Sequence, residues 1–385
     1  MTASTASDQR WMRRALELAR RGVALTHPNP MVGAVLVGDG KLLAQAFHTW
    51  DGLLHAEALA IQRAGAAARG STLYLNLEPC CHSGRTPPCT QAIISAGIRR
   101  VVAAMADPNP VVSGKGFRAL RRAGVEVAVG TGQEEAQRLN EAFAHWIRRR
   151  RPFVTLKAAA TLDGQLAFAS PTRRAGRGAS GKRNGRRWIS SAESRERVQQ
   201  MRHASDAVLT GIGTVLADDP LLTDRTGRKR RRPLQRVILD AELRLPVSSR
   251  LARTAASDVI VFTRASAESA AERRLERAGV RVVRVPGRSG KLELAAVLSE
   301  LGKMDLVSLM VEAGPALNGA LLAAGLVEKL VLFYAPVILG REVVPLARGE
   351  RADGAPLASP SRVAWSWSGP DLVLEGYLRD VYGNH

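Results

Sequence analysis

Hydrophobic positions along the chain recur with two periods, near 3.6 residues where helices are predicted and two, or unbroken, where strands are. Over the first two dozen residues Trp11, Ala15, Leu16 and Ala19 share one helical face, with Asp8 placed to cap its start and Gly22 near its end. The apolar run from Met31 to Val37 predicts a buried strand, and others follow at 42–47, 72–77, 100–105 and 125–129. After residue 55 these alternate with helices predicted at 55–67, 88–96, 114–122 and 133–147, a rhythm that specifies a layered α/β domain.

The basic run Arg148 to Arg151, closed by Pro152, interrupts that rhythm, because a helix stops before a proline and a new strand opens at Phe153. Beyond it the pattern restarts. Strands are predicted at 153–159, 206–210, 236–240, 258–262, 281–285, 306–312 and 329–334, with helices at about 191–203, 267–278, 291–301 and 315–324. The organisation read from this is a domain over 1–147, a linker over 148–152 and a second α/β domain over 153–385, which suits the 385-residue length. Residues 171–187 and 223–234 are poor in apolar side chains and are expected to be mobile loops.

Composition changes the picture in one respect. The formal net charge of +21 suggests a nucleic-acid partner, but three acid-free stretches, 148–151, 171–187 and 228–232, carry sixteen of those charges. The remainder is mildly basic, and aromatic residues are not interleaved with the basic runs as base-stacking platforms require. Solvated loops are the expectation, and nucleic acid is not expected as a partner. Three cysteines form no disulfide framework. The first residues lack a continuous apolar stretch, and the apolar run over 316–339 is broken by Glu328 and Lys329, so neither export nor membrane insertion is expected and the cytoplasm fits.

The chemistry is concentrated in His55-Ala56-Glu57 and in the segment from Glu78 to Cys89. A catalytic zinc takes three imidazole or thiolate ligands and leaves a fourth position for water. His55, Cys80 and Cys89 supply that set, and Glu57, two residues after the histidine, stands where zinc nucleobase deaminases keep a proton-shuttling carboxylate that is not a ligand. Such deaminases usually space the cysteines as C-x-x-C, whereas eight residues separate Cys80 from Cys89 here. A lone His-Ala-Glu is common and a buried cysteine is often a small hydrophobe. Their joint order points to Zn2+ and hydrolytic removal of an amino group, with Cys81 left to packing.

The long cysteine loop, Pro28-Asn29-Pro30-Met31-Val32-Gly33, Asp107-Pro108-Asn109-Pro110 and Gly114-Lys115-Gly116 resemble the bifunctional riboflavin-biosynthesis deaminase/reductase family. The resemblance continues through Thr155 to Gly164, Trp188 to Ser191, Thr210 to Pro220 and Val311 to Pro315, covering nearly the whole chain in order. It implies a cytidine-deaminase-like first domain and a dihydrofolate-reductase-like second one using NADPH. The implied substrate is 2,5-diamino-6-(5-phosphoribosylamino)pyrimidin-4(3H)-one, a small-molecule pyrimidine ribosyl phosphate, and the product of both steps 5-amino-6-(5-phosphoribitylamino)uracil. A homo-oligomer is the family expectation.

By the same resemblance Asn29, His48, His82 and Arg85 grip the deaminase substrate, although a turn role for Asn29 stays open and His82 is by type an alternative zinc ligand. Ala159, Trp188, Thr214 and Asp218 would touch NADPH. The segment Gly314, Pro315, Ala316, Leu317, Asn318, Gly319 and Ala320 opens a predicted helix after a strand, where free N–H groups suit cofactor phosphates. Arg202, Leu222, Arg225 and Glu312 would meet the sugar phosphate substrate, with Lys157 or Asp218 polarising or protonating the opening ribose. One departure stands out: 171–187 is long, Gly-rich and basic, with Arg186 where the family usually has a substrate-facing serine. The competing readings are a nucleobase or tRNA deaminase with nucleic-acid-binding tracts, a polyanion-binding protein on a decayed enzyme, and a deaminase whose reductase half is impaired by the altered loop.

Overall fold

The computed structural model describes residues 5–84, 86–168, 188–340, 343–351 and 353–383. Helix α1 (Ala6–Arg20) leads into strands β1 (Gly33–Gly38) and β2 (Lys41–Phe47), followed by α2 (Ala56–Ala64), β3 (Thr72–Leu75), α3 (Cys89–Ser95), β4 (Arg100–Ala103), α4 (Lys115–Arg122), β5 (Glu126–Val129), α5 (Gln133–Leu139) and α6 (Glu141–Arg149). The five strands form one sheet in the order β2-β1-β3-β4-β5, parallel from β3 to β5 and antiparallel at β1 and β2. Alternation along β1 sorts the core. Ala34 and Leu36 pack on one face with Ala56, Ala60 and Ile93, while Val35 and Val37 pack on the other against Met12, Ala15 and Leu16 of α1. Helix α1 lies so close to β1 that a β-carbon on Gly33 would sit 2.1 Å from the carbonyl oxygen of Ala15, which is why glycine stands there.

The second half contains β6 (Phe153–Thr161), β7 (Gln165–Phe168), α7 (Ala192–Ala204), β8 (Ala207–Gly211), α8 (Ile212–Asp218), β9 (Gln235–Leu239), α9 (Arg250–Arg253), β10 (Val259–Arg264), α10 (Ser269–Arg277), β11 (Arg281–Val285), the hairpin β12 (Gly287–Arg288) and β13 (Lys291–Leu292), α11 (Leu294–Lys303), β14 (Ser308–Val311), α12 (Pro315–Ala323), β15 (Lys329–Ala335), β16 (Val343–Pro345), β17 (Ser361–Ser368) and β18 (Asp371–Tyr377). Nine strands form its main sheet in the order β11-β10-β9-β8-β14-β6-β15-β18-β17, parallel from β11 to β15 and closed by an antiparallel hairpin. Helices cover both faces, giving one large core around Val154, Leu156, Leu209 and Phe262 and a second under α9 and α10. Among the described residues no helix is long and apolar enough to cross a membrane.

Several expectations are corrected. Asp8 is not the helix cap: Thr5 is, accepting from the Asp8 N–H, while the Asp8 carboxylate takes Tyr74 Oη–H and Arg100. The single helix expected over 133–147 breaks at Asn140, whose side chain instead clasps both main-chain groups of Met31. Within 148–152, expected as the linker, α6 continues to Arg149 and Arg151 bonds the buried Glu328 at 2.9 Å. The stretch 223–234 is not a loose loop, nor is the 228–232 run simply solvated. Arg230 donates to the carbonyls of Arg202, His203 and Ser205 at the C-terminal end of α7, where helix carbonyls lack internal partners, and to Asp224. The expectation for 171–187, including Arg186, lies outside the described residues.

Candidate active sites

Two helix N-termini carry two of the three candidate metal ligands of the first half. His55 is the N-cap residue of α2, and Cys89 is the first residue of α3, placed there by Pro88. Cys80 ends the extended segment after β3, and its sulfur accepts the N–H of Cys89 at 3.3 Å. His55 Nδ1 lies 3.2 Å from Cys89 Sγ and 3.5 Å from Cys80 Sγ, and the three ligand atoms all fall within 4.8 Å of one another. A tetrahedral zinc with ordinary bond lengths asks for ligand separations of roughly 3.6 to 3.8 Å, so this set fits the ion with small adjustment. One thiol is already disposed to ionise: a hydrogen bond with Cys89, aided by His55, holds Cys80 well below the usual thiol range despite its burial.

Glu57 lies in the first turn of α2, 4 % exposed, and its Oε2 has no hydrogen-bond partner. Burial raises its pKa, with His55 opposing. A buried carboxyl with an orphaned oxygen beside three metal ligands is poised to exchange a proton with whatever occupies the open side.

Of the residues expected to grip the substrate, Asn29 and His48 meet. Asn29 Nδ2 donates to His48 Nε2 at 3.0 Å, leaving His48 Nδ1–H toward the Leu54 carbonyl, and the His48 ring stands edge-on to His55 with centroids 5.3 Å apart. His82 is exposed on the loop between the two cysteines and is not among the clustered ligands. Arg85 lies outside the described residues. Sequence reasoning missed Glu78: its carboxylate accepts the N–H groups of Asp107, Gly114 and Phe117, anchoring the 107–117 segment beside Cys80. Gly116 belongs to the same contact, since a β-carbon there would lie 2.2 Å from the Pro79 carbonyl. It also missed Asn76, which receives the Gly33 N–H and donates to the Met31 carbonyl under the Pro28-Asn29-Pro30 turn. Short polar residues flanking a motif were the available signal.

In the second half, Lys157 on β6, Arg202 on α7 and Glu312 beyond β14 converge. Glu312 Oε1 receives Arg202 Nε at 2.6 Å and Oε2 lies 3.6 Å from Lys157 Nζ. Burial would raise the Glu312 pKa, but the two cations outweigh it and hold the carboxylate ionised. Arg202 also donates to the Thr223 carbonyl. The turn Gly211-Ile212-Gly213-Thr214 faces the start of α12, with Gly314 nearest Thr214 and Gly211 nearest Leu317. These are the C-terminal ends of the neighbouring parallel strands β8 and β14, the side of such a sheet on which ligands bind. The expected residues sort by exposure: Thr214 and Asp218 lie on α8 with Asp218 exposed, Trp188 is 57 % exposed under Arg195, and Arg225 is exposed. Ala159 packs toward Val198 and Met201 of the α7 face. Leu222 is buried in the core under β8, so contact with a ligand falls to its main chain. Within Gly314 to Ala320, Asn318 donates to the Leu346 carbonyl and Gly319 abuts the Arg348 main chain. Pro315 has no N–H, so Ala316 and Leu317 supply the free first-turn donors.

The sequence matches the family described as cytidine and deoxycytidylate deaminase zinc-binding region over residues 5–105 and the RibD C-terminal domain over 152–359. The riboflavin biosynthesis protein RibD of Aquifex aeolicus is 44 % identical over 333 residues, covering 86 % of this chain and 88 % of that protein. Among solved structures, RibD of Acinetobacter baumannii superposes with a TM-score of 0.81 at 34 % identity, covering 97 % of this chain and 99 % of that one. A diaminohydroxyphosphoribosylaminopyrimidine deaminase/5-amino-6-(5-phosphoribosylamino)uracil reductase of Thermotoga maritima does so at 0.78 and 34 % identity, covering 97 % and 99 %. The zinc-ready His/Cys/Cys cluster in a cytidine-deaminase-like layer and the Lys157/Arg202/Glu312 cluster of a dihydrofolate-reductase-like one lie within matches spanning most of both chains, and the chain belongs to the bifunctional deaminase/reductase family of riboflavin biosynthesis.

Proposed function

We propose that residues 1–147 deaminate 2,5-diamino-6-(5-phosphoribosylamino)pyrimidin-4(3H)-one and that residues 153–385 reduce the ribosyl group, yielding 5-amino-6-(5-phosphoribitylamino)uracil. The observation that carries the first step is the convergence of His55, Cys80 and Cys89 beside the unpartnered Glu57 Oε2. Zinc held by those three residues supplies the Lewis acidity that makes water nucleophilic near neutral pH. Glu57 takes one proton from the attacking water and passes it to the ring nitrogen, then takes the proton of the newly added hydroxyl and delivers it to the amino group, which leaves as ammonia while the carbonyl forms. Asn29 and His48 orient the pyrimidine edge, with His82 and Arg85 as further substrate contacts.

In the second half NADPH supplies the hydride. The free amides of Ala316 and Leu317 receive its phosphates, with Gly314 and Thr214 allowing close approach. Arg202 and Arg225 hold the sugar phosphate, Glu312 keeps Arg202 and Lys157 oriented, and Lys157 protonates the opening ribose. The protein works in the cytoplasm, where its free cysteines stay reduced. Nucleic acid is not expected as a partner, since the Arg230 and Arg232 guanidinium groups of the 228–232 run are engaged by main-chain carbonyls. A homo-oligomer would cover β17, an edge strand with Trp365 and Trp367 exposed at 56 % and 72 %.

Mass spectrometry of the product, with and without NADPH, tests the assignment. The deaminated ribosyl compound alone without NADPH and the ribityl compound with it are expected. Deamination that NADPH does not carry further would refute the reductase half, and no turnover would redirect attention to nucleic-acid substrates.

A further inference from the structure

Asn29 and His48 occupy two adjoining turns. Asn29 N–H closes the first turn on the Thr26 carbonyl, and the second follows β2; Trp50 N–H donates to Leu25 O and His48 N–H to Val32 O, joining the two. Three contacts from the second half of the chain land on this pair. The buried His27 donates through Nδ1–H to the buried Asp206 carboxylate at 2.9 Å, which itself accepts the N–H groups of Val307 and Ser308. The Arg231 main-chain N–H donates to Ala24 O at 2.9 Å. The Arg231 guanidinium reaches His27 O and lies 4.1 Å over the Trp50 ring. Arg231 is held in turn, because Arg230 bonds the end of α7 and Arg232 bonds the carbonyls of Met304 and Asp305.

We propose that Arg231, with the His27–Asp206 pair, is a positioning element for deamination supplied by the reductase half. It sets the distance between Asn29 and His48 and so their grip on the pyrimidine, without touching a reacting atom. Arginine suits the place because one planar group both donates to a carbonyl and stacks on an indole, which an ammonium does less well. The same segment reaches the other site through Arg230, which bonds the carbonyl of Arg202. The basic run is thus a strap between the two sites.

The inference rests on the assignment of Asn29 to the substrate, so N29A is measured beside the strap variants in the full-length, zinc-loaded protein. Ammonia release gives kcat and KM for R231A, R231K, H27N, H27L, N29A and the R231A/N29A pair. R231A is expected to raise the deaminase KM about tenfold, a misplacement effect, with zinc content and NADPH-dependent turnover of pre-deaminated substrate unchanged. H27N, which keeps a donor near the Nδ1 position, should outperform H27L, and R231A should add little in the N29A background because both act through one contact. If R231A does not fold, R231K and the H27N/H27L comparison read the same parameter. A normal KM in R231A and H27L beside a defective N29A overturns the strap, as do independent, multiplying effects of R231A and N29A. A normal KM in N29A overturns the substrate assignment, and the strap's stated route with it.

Discussion

Glu57 is the residue on which the proposed chemistry of the first site turns, because its Oε2 has no hydrogen-bond partner and lies beside the His55, Cys80 and Cys89 cluster. Replacing Glu57 with Gln keeps the shape and removes the proton carrier. The expected result is a fall in kcat of about 10² to 10⁴ with zinc content unchanged, read by ammonia release and metal analysis. Cys89→Ala should instead lose the metal, since a catalytic zinc needs all three protein ligands. At the second site Glu312 sets its one negative charge between two cations that are otherwise pressed together out of water. Glu312→Gln should therefore abolish reduction and lower stability by about 3 kcal/mol, as removing one member of a buried ionic group does. Denaturant midpoints with and without the substitution check it, and an unchanged midpoint would mean that Lys157 and Arg202 find water.

At the scale of elements, α6 meets β6 and β15 through buried charge. His145 is buried against Phe153, 3.8 Å from Glu328, and burial together with the charges of Arg151 and Arg149 pulls its pKa from 6.5 down to about 3. The unfolded histidine binds its proton near pH 6.5 and the folded one only near about 3, so stability is complete above 6.5 and lost as pH falls through that window. His145→Gln should flatten the decline in denaturant midpoint between pH 7 and about 5; an unchanged slope would place the titrating group elsewhere. Most of these elements were readable because hydrophobic periodicity is imposed by the layers they bury in, as Val35 and Leu36 show by facing opposite cores. The hairpin of β17 and β18 was not read, though Val363, Trp365 and Trp367 alternate with Ala364 and Ser366 before a Gly369-Pro370 turn. The His55, Cys80 and Cys89 cluster was legible because metal chemistry admits few residue types. The 223–234 segment was misread for the converse reason: its partners are main-chain carbonyls, which carry no signature in residue type, so arginines that fasten the chain look like arginines in water.

At the scale of the molecule, the two sheets do not behave as separate bodies on a tether. The chain returns after β18, where Tyr382 packs into the first core and its hydroxyl donates to Gln137 O, while Tyr377 and Lys329 both bond Glu141. Unfolding should accordingly be one transition. Saturating NADPH at about a hundred times its Kd adds about 2.7 kcal/mol to the half that binds it, and that stabilisation should also delay zinc release from the other half. Heating with a zinc indicator present checks this: release at an earlier temperature that NADPH does not move would show two independent units.

Gly302, late in α11, packs tightly: a β-carbon there would stand 2.1 Å from the Arg150 carbonyl, and the Gly302 carbonyl receives the Trp146 indole N–H. Nothing bulkier than hydrogen fits there without parting the two surfaces. A leucine at that position would act as a wedge, prising α11 away from the 148–152 join itself, and it marks where an engineer wanting two freestanding enzymes from this chain would first have to rebuild.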